Sequence, residues 1–443
     1  MAWSSGPLKG APDGQDDHLG LGSSKRRESV SWEVALSLKT IRRSTIVVAG
    51  AVGFTILAVV TLVSSALGPL PGTSVASAAS ATDGTVRLPT YFPNTEELSP
   101  VEMRITALGT GLPTPVTRAQ KSTAWMVELG NGDIFLFDLG TGSLTNLFGL
   151  RPDFSRLNKV FLSHLHTDHF GDLGSFIVGS WLSGRYTPLH IYGGTGSAPE
   201  LGTKAAVDAL MRSMAWDIKG RTGLLPDEGG RVEVHEFDFK KENEVVYEKN
   251  GVTITSWPAI HSLDGAVSYR LEWNGLVFVF GGDTRPNKWF IEHAKGADFA
   301  IHECFPTPDG LAKFNDWDNM KTATYVSSYI HTPPEGFGKV MSAIQPRMAV
   351  AFHTVLLPDI QQVMQEGIRR TYDGPLTIAT DLMVWNVTEE SITMRQAAFP
   401  DRVTPPPTTK AYHEAKRSGI ARMSQWIMDG VWDGFTPPPL PEE

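Results

Sequence analysis

The sequence predicts an α/β domain whose sheet carries a cluster of metal-binding side chains at one rim. Three observations lead there. Short apolar strands alternate with helical patterns at both ends of the long central region. One such strand, Lys159–Leu162, runs directly into Ser163-His164-Leu165-His166-Thr167-Asp168-His169-Phe170-Gly171-Asp172. Three later apolar runs each lead to one polar residue, His261, Asp283 or His353.

The composition suits a globular protein with a sizeable core. The 443 residues are 41% hydrophobic and 20% charged, enough for one large domain or two ordinary ones. The formal net charge is −9, and the first 43 residues hold seven Lys/Arg against five Asp/Glu, so the remainder is more acidic still. An acidic body argues against broad nucleic-acid binding, which needs cations to neutralise phosphates. Cys304 is the only cysteine, so no disulfide forms within the chain, and either redox compartment is compatible.

The N-terminus points to export. Residues 1–31 are Gly-, Ser- and charge-rich without apolar periodicity and Trp32–Thr40 reads as a short amphipathic helical turn, so residues 1–43 are expected to be a largely disordered cytoplasmic tail. Residues 44–68 contain the apolar run Ile46–Leu67, long enough to span a bilayer and preceded by Arg42 and Arg43. Two readings stay open, a permanent anchor or a signal cleaved near Val75-Ala76-Ser77-Ala78-Ala79. Either places the body on the periplasmic or extracellular face. Residues 69–100 are expected to be a flexible linker, 101–399 the main globular domain, and 400–443 a Pro-rich extension with one short helix. In that helix Ile420, Met423, Ile427 and Val431 recur near helical spacing, with Trp426 beside them, and are expected to pack on the domain surface, with a homodimer or membrane contact as the alternatives.

Within the domain, Met103–Leu108 and Ala124–Leu129 alternate as strands. Ile134–Asp138 is a third strand, leading to Gly140-Thr141-Gly142. Leu173–Ser183 and Lys204–Trp216 read as helices, Arg231–Phe237 and Val252–Trp257 as strands. Asn274-Gly275 between Ala266–Leu271 and Leu276–Phe280 reads as a hairpin turn.

The run after Leu162 holds four metal-binding side chains within six residues. A regular strand would point His169 away from His164, His166 and Asp168, whereas a loop can turn all four to one point. Imidazoles with a carboxylate and no thiolate suit zinc, with iron or manganese open. A lone histidine here would read as a structural hydrogen-bonding group.

His-x-His-x-Asp-His, with Leu108-Gly109-Thr110-Gly111 and Phe137-Asp138-Leu139-Gly140-Thr141-Gly142 before it, resembles the signature of the metallo-β-lactamase superfamily. The resemblance covers about residues 101–395 and implies a four-layer αββα sandwich. It implies that His164, His166 and His261 hold one metal, that Asp168, His169 and His353 hold a second, and that Asp283 bridges them. Two zinc ions so held would activate a bridging hydroxide. His166 stands where diiron members carry Glu, and Asp283 where common zinc β-lactamases carry Cys.

Ile301-His302-Glu303-Cys304 and Ile330-His331-Thr332 resemble segments of ribonuclease Z and its arylsulfatase-like relatives. That likeness implies Glu303 orienting His331 as general acid, with Asp168 helping to supply the nucleophile. Cys304-Phe305 departs from the family's Ala-Thr. No stretch resembles a tRNA-binding arm, so tRNA is not expected as a partner. Phe305-Pro306-Thr307-Pro308 and His331–Met341 look closest to the guanitoxin-biosynthesis-type metallo-hydrolases. The expected activity is a phosphodiesterase-like hydrolase of small esters. Carboxylic ester, lactone and sulfate hydrolysis remain alternatives, as does a surface binding protein without turnover. Trp181, Trp216, Trp257 and Trp317 are candidates for an aromatic pocket wall, although each reads more readily as core.

Overall fold

The computed structural model describes residues 87–399, 416–419, 421–432, 434 and 436–439. The expected tail, membrane or signal segment, and first part of the linker lie outside the described residues. Among those described, no helix is long and apolar enough to cross a membrane.

The strands in chain order are β1 (Thr90–Tyr91), β2 (Met103–Gly109), β3 (Ala124–Leu129), β4 (Ile134–Leu139), β5 (Lys159–Leu162), β6 (Leu189–Gly194), β7 (Val232–Phe237) and β8 (Glu244–Lys249), followed by β9 (Val252–Pro258), β10 (Val267–Trp273), β11 (Leu276–Phe280), β12 (Phe299–Glu303), β13 (Met348–Phe352), β14 (Leu376–Ile378), β15 (Met383–Val387) and β16 (Ile392–Ala397). They form a nine-stranded sheet, β1-β16-β15-β2-β3-β4-β5-β6-β7, and a seven-stranded sheet, β14-β13-β12-β11-β10-β9-β8.

Alternation along the strands builds the layers. Trp125, Val127, Phe135 and Phe137 point between the sheets, where they meet Phe278, Phe280, Phe299 and Phe352. Their neighbours Met126, Ile134 and Leu136 point outward under helices Ser143–Leu150, Leu173–Leu182 and Thr203–Ser213. On the other sheet Val279, Ala300 and Ala351 face helices Lys288–His293, Pro334–Ile344 and Pro358–Arg369. The result is the expected αββα sandwich. Phe137 stacks on Phe161 of the neighbouring strand and contacts Tyr269, Phe278 and Phe280 across the sheet interface. Truncating it to Ala would cost about 3–5 kcal/mol.

The hairpin at Asn274-Gly275 forms as expected, with both residues at positive φ and Trp273 opposite Leu276. β9, β11, β12 and β13 run in one direction, as do β4, β5, β6 and β7. Their carboxyl ends are where open α/β sheets place ligands.

Three sequence expectations need correction. The domain begins before Val101: Tyr91 is buried, β1 pairs with β16, and Arg87 bonds Glu102, so 87–100 is packed chain rather than linker. The low hydrophobicity of that stretch hid an ion-pair network, in which Glu96 also bonds Arg395. Lys204–Trp216 is not one helix but two, Thr203–Ser213 and Ala215–Arg221. The C-terminal helix is the single turn Gln425–Met428, and it is not packed: Met423, Trp426, Ile427 and Val431 are all exposed.

Candidate metal centre

The polar residues converge because rigid strand ends aim them. β5 is held at its end, where the Tyr269 hydroxyl donates to the Leu162 carbonyl at 2.6 Å and the Val267 amide to the Ser163 carbonyl at 2.9 Å. His166 stays extended and caps a single helical turn, Thr167–Phe170, which sets Asp168 and His169 side by side. The turn sits tightly on Gly140, where a Cβ would lie 2.0 Å from the Asp168 carbonyl oxygen. Gly282, at φ +60°, aims Asp283, and a Cβ there would lie 2.5 Å from that of Ser163. His353 itself adopts φ +61°, unusual for a non-glycine residue, with its amide anchored on the Thr110 carbonyl at 2.9 Å.

Two groups of ligating atoms result. His164 Nε2 lies 3.1 Å from His166 Nδ1, which lies 3.2 Å from His261 Nε2. In the second group His169 Nε2 is 3.2 Å from Asp283 Oδ1, and His353 Nε2 is 3.1 Å from Asp168 Oδ2 and 3.3 Å from Asp283 Oδ2. Asp283 Oδ2 is also 4.0 Å from His164 Nε2 and 3.8 Å from His261 Nε2. Ligands on one zinc ion at about 2.0–2.1 Å fall within such separations. All seven residues expected as metal ligands are therefore brought together, with Asp283 between the two groups.

Electrostatics favours cations here. Burial pushes the His164 imidazole well below its ordinary pKa, helped by His169 and His261, and burial lowers His261 to about 4 against the pull of Asp283. The lowered pKa of both rings favours the neutral form that can bind a metal. The second group differs. Burial opposes charge on Asp283, yet His169 and His353 hold its carboxyl well below the usual range. Burial likewise opposes protonating His353, and Asp283 and Asp168 outweigh it, raising the ring to about 10. The buried carboxylates thus require positive charge beside them. His169 Nε2 and Asp283 Oδ1 are buried, face each other and have no hydrogen-bond partner among the described residues. Divalent cations would satisfy both atoms, so the residues present fit a metal centre.

Beside it, Glu303 Oε2 accepts from His331 Nδ1 at 2.7 Å, and Oε1 accepts from the Thr284 amide at 2.6 Å. Asp283, Glu303, His331 and His353 also lie close enough to hold an ion. Both Glu303 oxygens already accept a hydrogen bond, so that quartet reads better as an orienting pair beside the metal groups. A π-helical segment, Val326–Ile330, delivers His331, and Phe305 stacks flat on its ring at 4.0 Å. The residue that departs from the family's Ala-Thr thus forms one wall of the histidine.

The family described as Beta-lactamase superfamily domain matches residues 135–354. Over 207 residues the chain is 33% identical to ribonuclease Z of Mycobacterium marinum, covering 45% of this chain and 70% of that protein. The chain belongs to the metallo-β-lactamase superfamily. Ribonuclease Z of Mycobacterium bovis is 32% identical, covering 45% of this chain and 69% of its own. The solved metallo-β-lactamase fold protein YhfI of Bacillus subtilis aligns with TM-score 0.48 and 19% identity, over 65% of this chain and 100% of that one. Like others in the superfamily, this chain is a metal-dependent hydrolase acting on phosphoester or ester bonds.

In this superfamily member a cavity of about 320 Å³ opens beside His164, His166 and His261. Leu165, Phe170, Leu201 and Leu263 line it, Glu200 and Asp264 add carboxylates, and no Lys or Arg of the described residues does so. None of the four tryptophans forms a wall: Trp181 and Trp257 are buried in the core, and Trp216 and Trp317 are exposed away from the cavity.

Sequence reasoning missed Asp138. Its carboxylate accepts from His169 Nδ1 at 2.7 Å and from the Ser163 amide and hydroxyl at 2.7 and 2.6 Å. It is a carboxylate at the end of an apolar strand, the pattern that singled out Asp283. Asp381 was missed too. It accepts from the Thr110 and Lys121 amides and from Asn146, bracing the turn that anchors His353.

Proposed function

We propose that the chain is a dinuclear zinc hydrolase, exported or membrane-tethered, that cleaves small phosphodiesters bearing an apolar group. The carrying observation is the position of Asp283, within 4.0 Å of donors in both ligand groups. Bound divalent cations would polarise the ester and lower the pKa of the attacking water. His164, His166 and His261 would hold one, and Asp168, His169 and His353 the other. Asp168 accepts a hydrogen from the attacking water and so orients it. His331, with Nδ1 engaged by Glu303, gives a proton from Nε2 to the leaving oxygen. The leucine- and phenylalanine-lined cavity takes the apolar substituent. The run 44–68 with its arginine flank supports export.

A second reading comes from the relatives' name, that RNA is the diester cleaved. The carboxylates and missing cations around the cavity weigh against a polyanion.

Full-length protein supplied with zinc or manganese, with His164→Ala as control, tests these readings. The substrates are an activated phosphodiester, a carboxylic ester, a lactone, a sulfate ester and a structured RNA. Metal-dependent turnover of the small diester alone supports the proposal. Turnover only of another ester moves the bond cleaved while keeping the site, and preference for RNA supports the second reading. Two bound metals without turnover would indicate a binding protein.

A further inference from the structure

We infer a third metal site, formed by His190, Glu233 and His235, at the opposite end of β6 and β7 from the catalytic loop. The strands pair in parallel, with His190 opposite Glu233 and Tyr192 opposite His235. Side chains two residues apart share a face, so these four point the same way. They face the cleft between the sheets, where β7 ends one sheet and β8 the other. On the neighbouring strand His190 lies opposite Lys159, the first residue of β5, whereas the catalytic loop follows its last. The two sites are thus separated by about 10 Å of strand.

The ligating atoms are spaced for one ion. His190 Nδ1 is 3.1 Å from His235 Nε2 and 3.4 Å from Glu233 Oε2. Two donors on a tetrahedral zinc ion sit about 3.3 Å apart, between those two distances. The same nitrogen spacing, 3.1 and 3.2 Å, recurs among His164, His166 and His261. One ligand atom from each of His190, Glu233 and His235 lies within 4.8 Å of the others.

Local packing preorganises the cluster. Tyr192 stacks on the His235 ring at 4.4 Å and 11°. The strand register holds His190 beside Glu233. Lys159 and Lys249 stand nearby and oppose a cation, but Lys159 is paired with Asp133 at 3.1 Å. A surface groove of about 500 Å³ borders His190 and His235, which admits the ion and a water as fourth ligand. Two imidazoles, one carboxylate and water suit zinc or another late divalent transition ion. Bound there, it would pin edge strand β7 to β6.

Full-length protein equilibrated with zinc and freed of excess, its metal counted by mass spectrometry, gives the test. Wild type should retain one more zinc per chain than His190→Ala or His235→Ala, and zinc should raise the wild-type Tm further. Replacing zinc by cobalt should add a visible absorption band that both variants lack. Both substitutions are at partly exposed positions, and circular dichroism checks their folding. Hydrolysis should be unchanged in both. Equal zinc counts and equal cobalt spectra in all three proteins would overturn the site and leave a histidine–histidine hydrogen bond in its place.

Discussion

His169 Nδ1 donates to Asp138 Oδ2 at 2.7 Å, which turns Nε2 of the same ring toward Asp283. The carboxylate selects the tautomer, a role such partners play at metal-bound histidines. Asp138 itself sits at φ +60°, a conformation Asn also tolerates. Asp138→Asn should therefore fold, yet bind metal about 10–100-fold more weakly. Competition with a chelator measures this, and unchanged retention would remove Asp138 from the metal centre.

His331 and Glu303 make a prediction about leaving groups. If His331 protonates the leaving oxygen, His331→Ala should lose about 10²–10⁴-fold with poor leaving groups and far less with activated ones. Phe305→Ala frees one face of the ring and should lose activity in the same direction, by less. A plot of rate against leaving-group pKa for the three proteins reads this directly. Equal losses across the series would reduce His331 to a substrate-positioning residue.

Asp381 predicts a pH-dependent stability. Burial pushes its carboxyl up to about 6, although the Lys121 and Thr110 hydrogen bonds pull the other way. A folded-state pKa above the unfolded value of about 3.9 means that the folded chain holds the proton more tightly. The resulting stability is full below pH 4 and is lost as pH rises through about 6, a change of roughly 3 kcal/mol. Denaturant midpoints across pH 4–7 should carry this slope, and Asp381→Ala should lack it while being less stable throughout.

Metal removal should destabilise the fold as well as silence it. Asp168, His169, Asp283 and His353 are all buried, and stripping the ions leaves the two carboxylates balanced only by His169 and His353, with His169 Nε2 and Asp283 Oδ1 3.2 Å apart and poorly aligned for a hydrogen bond. Zinc returned at 100 times its dissociation constant should restore about 2.7 kcal/mol, seen as a rise in Tm. A Tm indifferent to chelation would mean that the donors are held by protein contacts alone.

What was legible in the sequence follows from how local each signal is. His164, His166, Asp168 and His169 lie within six residues, and a strand that ends in one polar residue announces His261, Asp283 and His353. The sandwich was legible only through the family resemblance, since Ala124, Trp125, Met126 and Val127 are all apolar and the strand is buried on both faces. Asp138 shows the same strand-end pattern, but its task, orienting His169 thirty-one residues away, is set by the fold and not by its own segment. The His190–Glu233–His235 cluster needs the β6–β7 register, which neither segment contains alone. Arg87 and Tyr91 looked like linker because their partners, Glu102 and β16, lie elsewhere in the chain.

The most direct measurement is turnover of an activated phosphodiester by full-length protein, stripped of metal and then titrated with zinc, beside His353→Ala. The expected result is no turnover when stripped, recovery as zinc binds, and no recovery in the variant. Turnover by the stripped protein, or full recovery in His353→Ala, would contradict a hydrolytic centre built on these residues.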